Sequence, residues 1–297
     1  MKKEKEYFQL CFERAQYKEA MDGYLSLLNS DISLEDRSEL EYRIGQCYYK
    51  CGKFPQAMKY YKRALKNKDM RPEFKSRCLN EIGTVLYKQR KFNLAIEYIN
   101  RSMTYVGSET MEAAAAYNNL GRVFYQKKEY QKSLFYFKLS MIIKKQNLLM
   151  DDLEIAISYN NIGSVHIELG DYEQALKCLE ISLVIRKKRM PFTHPDIGTT
   201  YNNIGRAYMC MKQYGNAKEA FEKALEIRRA ALGEMHLDTA ITYYGLAAMY
   251  YQMGEYRDAI SKYKKVLGVF SKNYEADSKE IINILNELKK CDAKLNA

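Results

Sequence analysis

Four prolines and fifteen glycines are few for 297 residues. That scarcity argues against a disordered chain and against an all-β fold with its many turns. No run of about 18 uncharged apolar residues occurs, so no membrane-spanning helix is expected. The opening residues, Met1-Lys2-Lys3-Glu4-Lys5, are charged and run straight into a helical pattern, unlike the apolar core of a secretory signal. Histidine is scarce as well, with three copies. No nucleophile elbow, phosphate loop, dinucleotide fingerprint or zinc-protease motif is present. No catalytic residue, metal or cofactor is therefore expected.

His194 and His236 lie 42 residues apart in equivalent loops, which marks them as structural, and His166 falls at a core position. The seven cysteines are Cys11, Cys47, Cys51, Cys78, Cys178, Cys210 and Cys291. Their number is odd and their spacing irregular. Cys47 and Cys51 share a helical face, but no second pair lies near them in sequence to complete a metal site. The set reads as reduced thiols of a cytosolic or nuclear compartment, with a cytoplasmic location expected and free cysteine serving as a small core hydrophobe.

What the chain has in quantity is apolar and basic material. It is 47% hydrophobic and 29% charged, with a net charge of +11. That is ample for a continuous core, and the charge favours acidic partners through long-range steering. Charge alone leaves acidic peptide, anionic lipid and nucleic acid open.

One pattern recurs along nearly the whole chain. Small residues at Ala20, Ala57, Ala95, Ser133, Ala175, Ala217 and Ala259 are separated by 37, 38, 38, 42, 42 and 42 residues. A fixed period in this range signals a solenoid of stacked helical hairpins. We number each repeat so that the glycine within its first helix is position 8: Gly45, Gly83, Gly121, Gly163 and Gly205, with Ala247 in the next copy. Glycine inside a helix costs roughly 1 kcal/mol relative to alanine, so close packing by the second helix is implied. An aliphatic residue precedes it and a large residue follows three later, on one helical face. The second helix carries a small-large-small stripe, as in Ala57-Tyr61-Ala64 and Ala217-Phe221-Ala224.

These residues resemble the tetratricopeptide repeat (TPR). The resemblance implies an all-α, right-handed superhelical solenoid, read as a single domain over 1–297. Seven repeats lie near 4–30, 38–68, 76–106, 114–146, 156–188, 198–231 and 240–271. A capping helix follows over 277–295, with Ile281, Ile282, Leu285 and Leu288 on its apolar side. The first copy is degenerate, with Phe8 where glycine should be. The later copies are similar to the 42-residue repeats of kinesin light chains, through Tyr159-Asn160-Asn161-Ile162-Gly163 and Thr193-His194-Pro195-Asp196. The coiled coil that binds kinesin heavy chain is absent from the sequence.

In this family the first helices line the concave face, and positions 2, 5, 6, 9, 12 and 13 point into it. Asn119, Asn161 and Asn203 stand at position 6, and Asn80, Asn118, Asn160 and Asn202 at position 5. An amide both donates and accepts, so a row of them suits the backbone of an extended peptide. Arg43, Arg77, Lys88, Arg122 and Arg206 add charge for carboxylates, and Tyr125, Tyr244 and Tyr251 add flat apolar contact. A competing reading gives the asparagines to the solenoid itself, tying neighbouring first helices together.

The expected function is a non-enzymatic scaffold or adaptor that binds an extended, acidic segment of a partner protein. A co-chaperone clamp is disfavoured, since position 5 never carries lysine. Two other readings compete. A bacterial peptide-pheromone receptor of the TPR type would carry an additional N-terminal module, for which the early first repeat leaves no room. An RNA-binding repeat protein needs a readout code at fixed positions, and position 2 shows none, so nucleic acid is not expected as a partner.

Overall fold

The computed structural model describes residues 2–30, 32–68 and 70–296. Among them every regular element is an α-helix. The order is α1 (Lys2–Glu13), α2 (Tyr17–Leu28), α3 (Leu34–Lys50), α4 (Phe54–Ala64), α5 (Pro72–Lys88), α6 (Phe92–Met103), α7 (Met111–Gln126) and α8 (Tyr130–Asn147). Then come α9 (Leu153–Leu169), α10 (Tyr172–Arg189), α11 (Pro195–Cys210), α12 (Tyr214–Leu232), α13 (Leu237–Met253), α14 (Tyr256–Asn273) and α15 (Lys279–Leu295). The architecture is an all-α helical-repeat solenoid. It divides into two compact units, one ending at Asn147 and one beginning at Leu148. The division falls where the sequence period lengthens from 38 to 42 residues.

In the first unit α1–α8 pair as four hairpins, and α5 also touches the first helices α3 and α7. In the second unit α9–α14 pair as three hairpins, and α11 touches both α9 and α13. The position-8 glycine explains the pairing. A methyl group built on Gly45 would lie 2.6 Å from the Tyr61 ring, and one on Gly121 2.6 Å from Phe137. In the five repeats with glycine at position 8, the large residue of the second-helix stripe therefore sits in a notch that a Cβ would fill. Tyr61, Ile99, Leu179 and Phe221 are fully buried there, each worth about 1.5–3 kcal/mol of burial. The flanking small residues bring the helices close enough for direct bonds. Ser140 Oγ donates to the Ala114 carbonyl and Ser182 Oγ to that of Ala156, both at 2.8 Å.

The degenerate first hairpin inverts this arrangement. Phe8 fills the interface from the first helix, and the glycine has moved across to Gly23, where a Cβ would come within 2.2 Å of the Phe8 ring.

Every hairpin turns through one residue with left-handed backbone. Gly52, Gly170 and Gly254 take it at φ 72–81°, and Ala15, Arg90, Lys128 and Lys212 take it at φ 59–61°. The next residue then donates its N–H to the carbonyl five residues back, at 2.9 Å in each case, closing the first helix.

The longer repeats carry extra joinery. His194 Nδ1 accepts from the Asp196 N–H at 3.2 Å, and His236 Nδ1 from that of Asp238 at 3.1 Å. Both histidines thus cap helices, as Asp152 does at the same place in α9. Arg186 and Arg228, near the ends of α10 and α12, are buried. Arg186 bonds the Asp196 carbonyl and Thr200 Oγ1, and Arg228 bonds the Asp238 carbonyl and Thr242 Oγ1.

The last helix corrects one expectation. Its buried residues are Ile281, Ile284 and Cys291, with Leu288 half-buried beside them, whereas Ile282 and Leu285 are exposed. α14 packs on one side of a wide apolar stripe, and the part at 282 and 285 turns away from it. Among the described residues no helix is long and apolar enough to cross a membrane.

Candidate functional site

The asparagine ladder resolves into a repeated hydrogen-bonded triangle. In the first unit Asn119 Nδ2, on α7, donates to Asn80 Oδ1 and Thr84 Oγ1 on α5, both at 3.1 Å. In the second unit Asn203 Nδ2, on α11, donates to Asn160 Oδ1 at 3.2 Å and Ser164 Oγ at 3.1 Å on α9. Position 6 of one repeat thus bonds positions 5 and 9 of the repeat before it. The remaining amide oxygens accept from arginine one turn on: Arg122 Nη1 to Asn119 Oδ1 at 3.3 Å, Arg206 Nη1 to Asn203 Oδ1 at 3.5 Å. Four of the amides assigned from sequence to a ligand's backbone, Asn80, Asn119, Asn160 and Asn203, are therefore engaged between neighbouring first helices. Asn118 and Asn161 are half-buried on the same first helices.

The basic residues differ in what they hold. Arg43 bonds Glu39 and Gln9, and Arg77 bonds Glu112 at 2.6 Å. Arg206 is paired with Glu168 at 2.5 Å. Arg122 instead lies over the Tyr87 ring, 4.8 Å from its centroid. The residue of α5 matching Glu168 is Lys88, which is exposed, so the carboxylate that neutralises Arg206 has no counterpart at that position beside Arg122. Tyr125 and Tyr251 pack edge-on against Tyr130 and Tyr256 at their own hairpin turns. Tyr244, 40% exposed, stands edge-on to Tyr263.

Between α11 and α13 the triangle is broken. Position 5 of α11 is Asn202, but position 6 of α13, where the matching donor would stand, is Gly245. Asn202 is 5% exposed, and its Oδ1 is buried without a hydrogen-bond partner. No side chain fits at 245, because a Cβ would lie 2.6 Å from Phe221 Cε1. A pocket of about 420 Å³ opens here. Thr199, Asn202, Asn203, Arg206 and Met209 line it from α11, and Ile241, Tyr244, Gly245 and Ala248 from α13. These are positions 2, 5, 6, 9 and 12 of one repeat and 2, 5, 6 and 9 of the next.

Arg228 and Asp238 complete the lining. Arg228 is 3% exposed; its Nη2 donates to Thr199 Oγ1 at 3.1 Å, and its Nε is buried and unpartnered. Burial lowers its pKa, with Asp238 and Asp196 opposing that shift. Of the residues singled out in the sequence, the pocket gathers Asn202, Asn203, Arg206 and Tyr244. Thr199, Met209, Ile241 and Arg228 were missed. The loss of the position-6 side chain at Gly245 was the available signal.

Family profiles described as tetratricopeptide repeat match residues 38–68, 80–139, 155–196 and 196–272. A search of curated proteins finds no match. Among solved structures, a Rap protein complexed with competence and sporulation factor is similar over 99% of this chain and 86% of its own, with TM-score 0.73 and 17% identity. BtubC from P. vanneervenii is similar over 74% of this chain and 91% of its own, with TM-score 0.59 and 20% identity. A kinesin light chain-type protein of Podospora anserina, with nearly identical TPR-like repeats, is similar over 69% and 98%, with TM-score 0.54 and 19% identity. At these identities the likeness is one of fold, and it agrees with the repeat register, the hairpin notches and the family profiles: the chain belongs to the tetratricopeptide-repeat family.

Proposed function

We propose that the chain is a non-enzymatic interaction scaffold that takes an extended segment of a partner protein on its first-helix faces. The observation that carries this reading is the pocket between α11 and α13. It is lined at the positions where the family's first helices meet ligands. The acidic preference rests on the first unit, where Arg122 stacks on Tyr87 and Lys88 is exposed.

The test is selection of short random peptides from a display library, followed by mapping of their footprint by methyl NMR. Selected peptides should shift the methyl signals of Met209, Ile241 and Ala248. Peptides whose footprints all fall on second helices would overturn the proposal.

A second reading, a peptide-pheromone receptor, is suggested by the Rap protein, whose structure holds a competence and sporulation factor. It uses the same face. It differs in requiring that binding change the packing of the helices, which far-reaching methyl shifts would reveal.

A further inference from the structure

The polar residues of the α11–α13 pocket offer a ligand little surface. Asn202, Asn203 and Arg228 are 5%, 8% and 3% exposed. Two others are engaged: Thr199 Oγ1 accepts from Arg228, and Arg206 pairs with Glu168 and donates to Asn203. The open surface belongs mainly to α13. Ile241 is 46% exposed and Tyr244 40%, while Met209 and Ala248 are half-buried in the same lining. Resting on the peptide-binding reading, we infer that this pocket anchors one bulky apolar side chain, aliphatic or aromatic, of the bound segment.

The chemistry of the first helices changes at this step. Position 5 is asparagine in α5, α7, α9 and α11, and it is Tyr244 in α13. Position 6 is Gly245, which contributes no side chain because Phe221 occupies the place a Cβ would take. The space beside Ile241 and Tyr244 therefore stays open, and its volume of about 420 Å³ is within the range of pockets that take ligands. Local charge calls for no ionic occupant. Arg206 is paired with Glu168, and Arg228 feels both Asp238 and Asp196. Water is released from the Ile241 and Tyr244 surfaces when an apolar group covers them. A glutamate or lysine side chain would instead give up its own hydration against Ile241 and Met209.

The experiment titrates the full chain, methyl-labelled, with N-acetyl-leucine methylamide and with the phenylalanine, glutamine, glutamate and lysine analogues. All five share one backbone, so differences report the side chain. The leucine or the phenylalanine probe should shift the Met209, Ile241 and Ala248 methyls saturably, about tenfold more tightly than the three polar probes. Ile241→Ser, at an exposed position, should remove that preference at the Met209 and Ala248 methyls without lowering helicity. Val184→Ser, at a 68% exposed place on the second helix α10, should leave it intact. Equal shifts from all five probes, a stronger response to a polar probe, no saturable response at these methyls, or a preference that survives Ile241→Ser would overturn the inference. Library-selected peptides that reach the same methyls without a large apolar residue would sink this inference and leave the binding face standing. Footprints confined to second helices would sink both.

Discussion

Asn203 and Asn202 are adjacent in sequence and nearly equal in burial, yet their amides stand in opposite circumstances. Asn203 donates twice to α9, so Asn203→Ala should lower stability by about 1–3 kcal/mol. That loss would show as a lower urea midpoint with an unchanged slope. Asn202→Leu removes an unmatched oxygen, and its midpoint should equal or exceed that of the wild type. The sequence made the positions of these amides legible, because a fixed spacing assigns each to a helical face. It did not disclose their direction. A side chain at position 6 can reach either the preceding helix or open space, and spacing does not distinguish them. The burial of Arg228 was hidden for a similar reason: its partners, Thr199, Thr242 and the Asp238 carbonyl, come together only when hairpins stack.

Among the helices, the hairpin pairing was read correctly from the small-large-small stripes, since a notch and its filler must recur at the same register. Gly121→Ala tests that notch. The added methyl meets Phe137 at 2.6 Å, and the resulting overpacking should cost about 1–3 kcal/mol despite alanine's better helix propensity. Thermal unfolding would measure it. A charged residue within α5 predicts a pH dependence. Burial raises the Glu81 carboxyl to about 7, against the pull of Lys50 on α3 and Arg122 on α7. The neighbouring Tyr42 and Tyr61 do not ionise in this range; burial pushes both phenols up. The unfolded chain releases this proton near 4.5, before the folded one does. The stability tied to the neutral acid is thus complete below about pH 4.5 and is lost as pH rises through 7. Glu81→Gln should flatten that part of the profile and be the more stable chain at pH 8, as urea midpoints from pH 5 to 8 would show.

For the molecule as a whole, thiol accessibility gives a readout of each unit by itself. Cys51 and Cys210 are exposed and Cys178 is half-buried. Cys11, Cys47 and Cys78 in the first unit and Cys291 in the second are buried. Burial also pushes the Cys47 thiol up to about 12, leaving little thiolate to react. A chromogenic disulfide reagent should therefore modify Cys51 and Cys210 first in the native protein, and the four buried thiols only on unfolding. Mass spectrometry of partly labelled chains would show which unit opens first. The left-handed residue at each hairpin turn carries a different message. Ala15, Arg90, Lys128 and Lys212 hold a backbone that costs a non-glycine residue about 1–2 kcal/mol, partly offset by the freedom glycine adds to the unfolded chain. Glycine at all four places should raise the melting temperature by several degrees while altering none of the pocket-lining side chains. Heat tolerance and recognition are then separate properties of this protein, and the former can be engineered without disturbing the latter.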